Sequence, residues 1–164
     1  MEIYLMQHGH ALPEEQDPEE GLSPDGKAGI HTSGKALKKM GITFDVILSS
    51  PKKRSKQTAS IVAEEVGFPL DRIIQTDKVK AMTQPEETIK TLAEYAGNQS
   101  ILIAGHLPSV AEVASYLLTK DSKVTIEFER GGCCRIDVED LSTQAGQGHL
   151  KWYLTPGQLA LIAS

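Results

Sequence analysis

Residues 3–10 read Ile3-Tyr4-Leu5-Met6-Gln7-His8-Gly9-His10. An apolar, β-branched and aromatic run opens the chain and ends in a polar cluster that contains a glycine. The run reads as a first strand, Glu2 to Met6, which delivers His8 to its carboxyl end. The same arrangement recurs further along. Asp45 to Leu48 reads as a second strand and is followed by the polar cluster Ser50 to Arg54. Ile101 to Ala104 is fully apolar, reads as a central strand buried on both faces, and is followed by Gly105-His106. In open α/β sheets the ligand crevice lies outside the carboxyl ends of the strands, so clusters distant in sequence meet in one pocket.

Helix-like segments alternate with these strands. Ser23-Pro24-Asp25-Gly26 opens a helix that runs to about Met40 and stops at Gly41. Ser50 as N-cap and Pro51 at the first helical position open another. Its apolar residues Ala59, Val62, Ala63 and Val66 repeat at helical spacing up to Gly67. Pro85 opens a helix with Ile89, Leu92, Ala93 and Ala96 on one face, closed by Gly97. Pro108 opens one that carries Val110, Val113, Ala114 and Leu117. Ile73 to Thr76 reads as a short strand. Val124 to Phe128, Cys133 to Val138 and His149 to Leu154 read as two or three edge strands, and Gln158 to Ala163 as a closing turn of helix. The alternation predicts an α/β fold in a single domain, residues 1–164.

Composition sets outer bounds. A net charge of −5, from 17 basic and 22 acidic side chains, argues against a general nucleic-acid binder but leaves room for a local basic pocket. No apolar run approaches the ~20 residues that span a bilayer. Met1-Glu2-Ile3-Tyr4 lacks the basic-then-apolar pattern of a secretory signal. Cys133 and Cys134 are adjacent, with no CxxC spacing, and read as buried or half-buried thiols in a reducing cytoplasm.

The strand-end residues suit phosphoryl chemistry. A neutral imidazole such as His8 can attack phosphorus and form a covalent intermediate. A second histidine, His106, can when protonated donate to a phosphoryl oxygen. Arg54, in the first turn of its helix, can grip phosphate oxygens with its planar fork where the helix N-terminus adds positive potential. Each residue type alone is commonplace; their joint placement after three separate strands is the signal.

Three blocks carry a specific resemblance: Leu5-Met6-Gln7-His8-Gly9-His10-Ala11, Ser49-Ser50-Pro51-Lys52-Lys53-Arg54-Ser55-Lys56-Gln57-Thr58, and Gly105-His106-Leu107-Pro108. In this order they resemble the histidine phosphatase superfamily, which includes the cofactor-dependent phosphoglycerate mutases. Together with Leu22-Ser23-Pro24-Asp25-Gly26 and the compact length, they most resemble its small SixA-type phosphohistidine phosphatase branch. The last 40 or so residues carry no usable motif. The resemblance implies a phosphoglycerate mutase-like, three-layer α/β/α sandwich with a mostly parallel central sheet. It implies that His8 becomes phosphorylated, that Arg54 and His106 hold the phosphoryl group beside Gln7 and Gly9, and that water then releases it. No metal and no organic cofactor is implied. The implied substrate carries phosphate, with phosphohistidine on a protein favoured, as in cytoplasmic signal transduction; no nucleic-acid or membrane partner is implied. A short chain with few insertions suits a shallow pocket that a protein surface reaches.

The chain departs from this pattern at Gln7, where the family has arginine. A hydrogen bond that involves a charge contributes about 1.5–3 kcal/mol net, against about 0.5–1.5 for a neutral one. The loss of ~1–2 kcal/mol is roughly 5- to 30-fold in binding or rate. On this reading, replacement charge comes from a protonated His10, with activity rising toward acid pH, or from Lys52, Lys53 or Lys56, and Gln7→Arg gains activity. Glu86 and Glu87, in the first turn after Pro85, are the candidates for a proton donor. Glu14, Glu15, Asp17, Glu19 and Glu20 form a solvated loop that could select basic phosphoproteins. His31 and His149 receive no role. Two alternatives stay open: a phosphatase for small phosphate esters or nucleotides, and a low-turnover phosphate- or phosphoprotein-binding module. The mutase reading is disfavoured by the short chain.

Overall fold

The computed structural model describes residues 1–121, 123–139, 141 and 146–164. Its strands are β1 (Glu2–Gln7), β2 (Val46–Ser49), β3 (Ile74–Gln75), β4 (Ser100–Gly105), β5 (Cys133–Asp137) and β6 (His149–Leu154). Its helices are α1 (Pro24–Lys39), α2 (Lys53–Val66), α3 (Pro85–Ala93), α4 (Ser109–Thr119) and α5 (Pro156–Ala163). The strands form one sheet in the order β3-β2-β4-β1-β5-β6. β1, β4, β2 and β3 pair in parallel, whereas β5 runs antiparallel to both β1 and β6.

Period-two alternation assigns the two faces of this sheet. Ile3, Leu5, Val46, Leu48, Ile101 and Ile103 pack beneath Ile89 and Leu92 of α3 and Val110, Val113 and Leu117 of α4. Tyr4, Met6, Ile47, Leu102 and Ala104 face Ile30 and Leu37 of α1, Ala59 and Val62 of α2, and Leu159 of α5. Helices therefore cover both faces, and the fold is the expected three-layer α/β/α sandwich. Every residue of β4 is buried, because strands flank it on both sides and helices cover it above and below. Each such Leu or Ile contributes about 1.5–3 kcal/mol of burial.

Cap chemistry accounts for the helix ends around the site. The Ser23 hydroxyl accepts from the Gly26 amide at 2.9 Å at the start of α1. Gly67 closes α2 in the left-handed conformation, with φ 79°.

Four expectations need correction. First, α2 begins at Lys53 rather than Pro51, with Lys52 as a cap residue that makes no side-chain cap bond. The Ser50 hydroxyl is engaged elsewhere, with His106, and the Ser55 hydroxyl takes the Ser50 amide at 3.1 Å. Second, α3 ends at Ala93, short of Gly97. The chain then tightens into three-residue turns, Tyr95 N–H to Leu92 O and Ala96 N–H to Ala93 O. Third, Val124 to Phe128 is not a strand. It is anchored by side chains: the Val124 amide donates to Ser115 Oγ at 3.1 Å, and Phe128 packs into the core. Fourth, β5 is an interior strand next to β1, and of the two C-terminal strands only β6 is an edge.

The β5 position also buries the cysteine pair completely, and both thiols are free. Burial pushes the Cys134 thiol up to about 12 and the Cys133 thiol well above its usual range, so neither is a ready nucleophile. Among the described residues, no helix is long and apolar enough to cross a membrane.

Candidate active site

The carboxyl ends of β1, β2 and β4 lie side by side, and the polar residues that follow them converge. Gln7 pairs with Gly105 across the β1–β4 ladder, and the His8 amide donates to the Gly105 carbonyl at 3.0 Å. This fixes His8 beside His106, with ring centroids 5.0 Å apart in an edge-to-face arrangement. Arg54, the second residue of α2, donates from Nε to His8 Nε2 at 3.2 Å.

The tautomer of His8 follows from its partners. Its Nδ1 lies 2.7 Å from the Gly9 carbonyl, which can only accept, so Nδ1 carries the hydrogen. Nε2 then holds the lone pair to which the Arg54 Nε–H donates. Burial pushes the His8 imidazole down to about 4, opposed by the Gly9 carbonyl and reinforced by Arg54 and Arg130. His8 is therefore neutral near pH 7, the state a nucleophile requires. Burial, then the neighbouring His8, Arg54 and Lys52, push His106 down to about 3.

The supporting shell is built from short side chains. Ser50 Oγ sits 2.5 Å from His106 Nε2 and accepts from the Lys52 amide at 3.3 Å. Ser55 Oγ donates to the Ala104 carbonyl at 2.6 Å, which ties the start of α2 to the end of β4. Thr58 Oγ1 accepts from the Gly9 amide at 3.2 Å and donates to the Arg54 carbonyl at 2.8 Å. Gly9 is required by space: a Cβ there would lie 2.7 Å from Ile30 Cγ1 and 3.0 Å from the Gly26 carbonyl.

Among the described residues, two buried side-chain polar atoms have no hydrogen-bond partner, Gln7 Oε1 and His106 Nδ1. Both belong to this site, at neighbouring strand ends. Unpaired buried polar atoms are rare and costly, and they mark places where a protein holds strain for a ligand. Gln7 is 6% exposed, His8 8% and His106 3%, so the phosphate chemistry would take place at a desolvated floor. Beside that floor a pocket of about 210 Å³ is lined by Lys52, Arg54, Lys80, Ala81, Met82 and His106. A chain with an acidic surplus thus concentrates cations here.

The other sequence-derived candidates lie in varied places. Lys52 lines the pocket. Lys53 is held away from it by Asp17 at 2.9 Å and Glu19 at 3.3 Å. Lys56 lines a separate surface depression with Lys27, His31 and Gln57. Glu86 is exposed and does not line the pocket, and Glu87 is ion-paired with Lys78 at 2.7 Å and Lys90 at 3.3 Å. His31 pairs with Glu65 at 2.8 Å. His10 is exposed, and its Nδ1 lies 3.2 Å from Arg130 Nη1. Arginine has only donors, so His10 acts as an acceptor there.

Three neighbours of the site were not legible beforehand. The loop after His8 is not merely solvated. Asp17 binds Lys53, Gln57 Oε1 accepts from the Leu22 amide at 2.6 Å, and Glu20 Oε2 reaches Arg54 Nη1 at 3.4 Å. Glu20 adopts a left-handed backbone, with φ 49°. Ser50 passed as a helix cap, and Arg130 lay in a stretch without a motif. The signal for Arg130 is the following Gly131-Gly132 pair, which marks a tight turn, but only the β1–β5 pairing shows where that turn sits.

Residues 3–82 match the family model described as histidine phosphatase superfamily (branch 1). An uncharacterized protein of Picosynechococcus sp. is 27% identical over 135 residues, covering 80% of this chain and 82% of its relative. The structure of the protein histidine phosphatase SixA complexed with tungstate has a similar fold. It superposes with a TM-score of 0.85 at 22% identity, over 97% of this chain and 99% of that one. The alpha-ribazole phosphatase from Shigella flexneri superposes with a TM-score of 0.73 at 16% identity, over 95% and 97%. The family model of the histidine phosphatase superfamily spans the His8 and Arg54 blocks, and the solved structures share the fold of the whole chain.

Proposed function

We propose that the chain is a phosphatase that works through a phosphohistidine intermediate on His8, with phosphohistidine on a protein as its substrate. The observation that carries this reading is the convergence of His8, Arg54 and His106 from three strand ends, with the Arg54 Nε–H on the His8 lone pair at 3.2 Å. His8 Nε2 attacks phosphorus; the N–P bond forms as the bond to the leaving group breaks. Arg54 transfers its donors from the imidazole to the phosphoryl oxygens, where they stabilise charge in a desolvated setting. Neutral His106 offers its one N–H. Water then attacks phosphorus, the N–P bond breaks, and orthophosphate leaves a free His8.

Two observations favour a protein-borne substrate. The pocket beside His106 is small and open, and Met82 at its rim is 82% exposed. Among the described residues no carboxylate lines that pocket, and the sequence-derived acids Glu86 and Glu87 lie elsewhere. A leaving imidazole, which departs already protonated, makes little demand on an enzyme acid, whereas an alkoxide does. The fold similarity to SixA supports the same substrate class.

The test is incubation with acetyl phosphate or a phosphorylated histidine-containing protein. The expected result is acid-labile phosphate on His8 and orthophosphate release, both lost in His8→Ala. Phosphate binding without turnover would favour a binding module instead.

A further inference from the structure

We propose that Arg130 is a second phosphate-binding cation of this site, which reaches the phosphoryl group on His8 from the β5 side of β1. The proposal rests on the reading of His8 as the phosphorylated residue. Its basis is geometric. The Gly131 amide donates to the Gln7 carbonyl at 3.0 Å, so the turn that carries Arg130 is bonded to the residue that precedes His8. A Cβ on Gly131 would lie 3.3 Å from Ile30 Cδ1, and a Cβ on Gly9 would also strike Ile30. The two glycines share Ile30 as a neighbour, so the turn and the His8-Gly9 step pack against the same side chain.

The turn is rigid. The Gly132 amide donates to the Glu129 carbonyl at 2.8 Å, the Glu129 amide to the Tyr153 hydroxyl at 2.8 Å, and the Ser33 hydroxyl to the Gly131 carbonyl at 2.9 Å. Gly131 holds φ 84°, and a Cβ on Gly132 would meet the Tyr153 hydroxyl at 2.8 Å.

The Arg130 charge is not neutralised by an acid. The residue is exposed, no carboxylate among the described residues forms an ion pair with it, and its polar partner is His10 Nδ1 at 3.2 Å. Its charge nevertheless reaches the nucleophile, since it helps depress the His8 imidazole. Arg54, by contrast, has its charge partly offset by Glu20. The dianionic phosphoryl group therefore meets one shared and one free guanidinium. His10 is a positioning residue that keeps the free one in register.

The experiment titrates the full chain with tungstate, a tetrahedral oxyanion. Wild type is compared with Arg130→Gln, Arg130→Lys, Arg54→Ala, His8→Ala and the remote charge control Arg72→Gln. Arg130→Gln is expected to weaken tungstate binding by about 5- to 30-fold. Arg130→Lys is expected to recover part of that loss, and Arg72→Gln to stay within about twofold of wild type by screening. Urea unfolding midpoints should match throughout the Arg130 series. Arg130→Gln binding within twofold of wild type, while Arg54→Ala loses binding, would overturn the role of Arg130 alone. Wild-type binding that survives both Arg54→Ala and His8→Ala would overturn the site reading and this proposal together.

Discussion

Arg54 Nε donates to His8 Nε2 at 3.2 Å, so the guanidinium rests on the imidazole lone pair, the one proposed to attack phosphorus. The contact orders both side chains in the resting site, and a phosphoryl group must draw the guanidinium off the imidazole to free that pair. Arg54→Ala is expected to lower kcat/KM by about 10²–10³-fold, the typical cost of losing one preorganised oxyanion donor. Arg54→Lys should remain well below wild type because an ammonium cannot reproduce the fork. Steady-state kinetics on acetyl phosphate check both.

Glu20 competes for the same guanidinium, at 3.4 Å from Arg54 Nη1. A partly exposed ion pair of this kind contributes about 0.2–1 kcal/mol, so Glu20→Gln should tighten phosphate binding by about 1.5- to 5-fold. The gain should fade in about 1 M salt as screening sets in. Isothermal titration at two ionic strengths reads the effect, and an unchanged affinity at low salt would show that Glu20 does not gate Arg54.

Both site histidines sit below their free value of 6.5, His8 at about 4 and His106 at about 3. Two consequences share one sign. The acid limb of kcat/KM, after correction for substrate ionisation, should fall near pH 4 and leave the rate flat through 6.5. Stability follows the same direction, because the unfolded chain takes up protons below about pH 6.5 while the folded site refuses them. Stability is full above that pH and declines as pH falls toward about 4, by roughly 3 kcal/mol for His8 across the window. Urea midpoints measured between about pH 5 and 7.5 should show a slope that His8→Gln flattens.

The Gly131 amide donates to the Gln7 carbonyl, which sets Arg130 one residue from a contact with the end of β1. If both positions serve the same phosphoryl group, their effects are coupled. Gln7→Arg should raise phosphate affinity more in an Arg130→Gln background than in wild type. A double-mutant cycle with tungstate measures the difference, and strict additivity would separate the two positions.

Ser55 bridges the Ser50 amide and the Ala104 carbonyl from full burial. Ser55→Ala leaves two buried groups unpaired and should cost about 1–3 kcal/mol in urea unfolding. Because Ser50 holds His106, the variant should also lose turnover beyond its stability defect at temperatures where it remains folded.

Much of the fold was legible because strand-end clusters and helix stops are local. Tyr4 and Met6 against Ile3 and Leu5 announce a two-sided strand. Gly41 and Gly67 stop their helices where left-handed backbone is needed. Ser50 misled because a serine before proline has the chemistry of a cap, while its actual partner, His106, is 56 residues away. Val124 to Phe128 misled because apolar alternation does not distinguish a strand from coil pinned by Ser115. His8, Arg54 and His106 could be proposed from placement after strands. Glu20 and Arg130 could not, since one depends on how a loop folds back and the other on the pairing of β5 with β1.

That pairing has a wider consequence. Because β5 runs back along β1, the turn entering β5 arrives where β1 leaves off, and His10 and Arg130, 120 residues apart in sequence, become neighbours. The two ends of the chain thereby hold adjoining keys to one lock. A family alignment should show positive charge trading places between positions 7 and 130, one rising as the other falls.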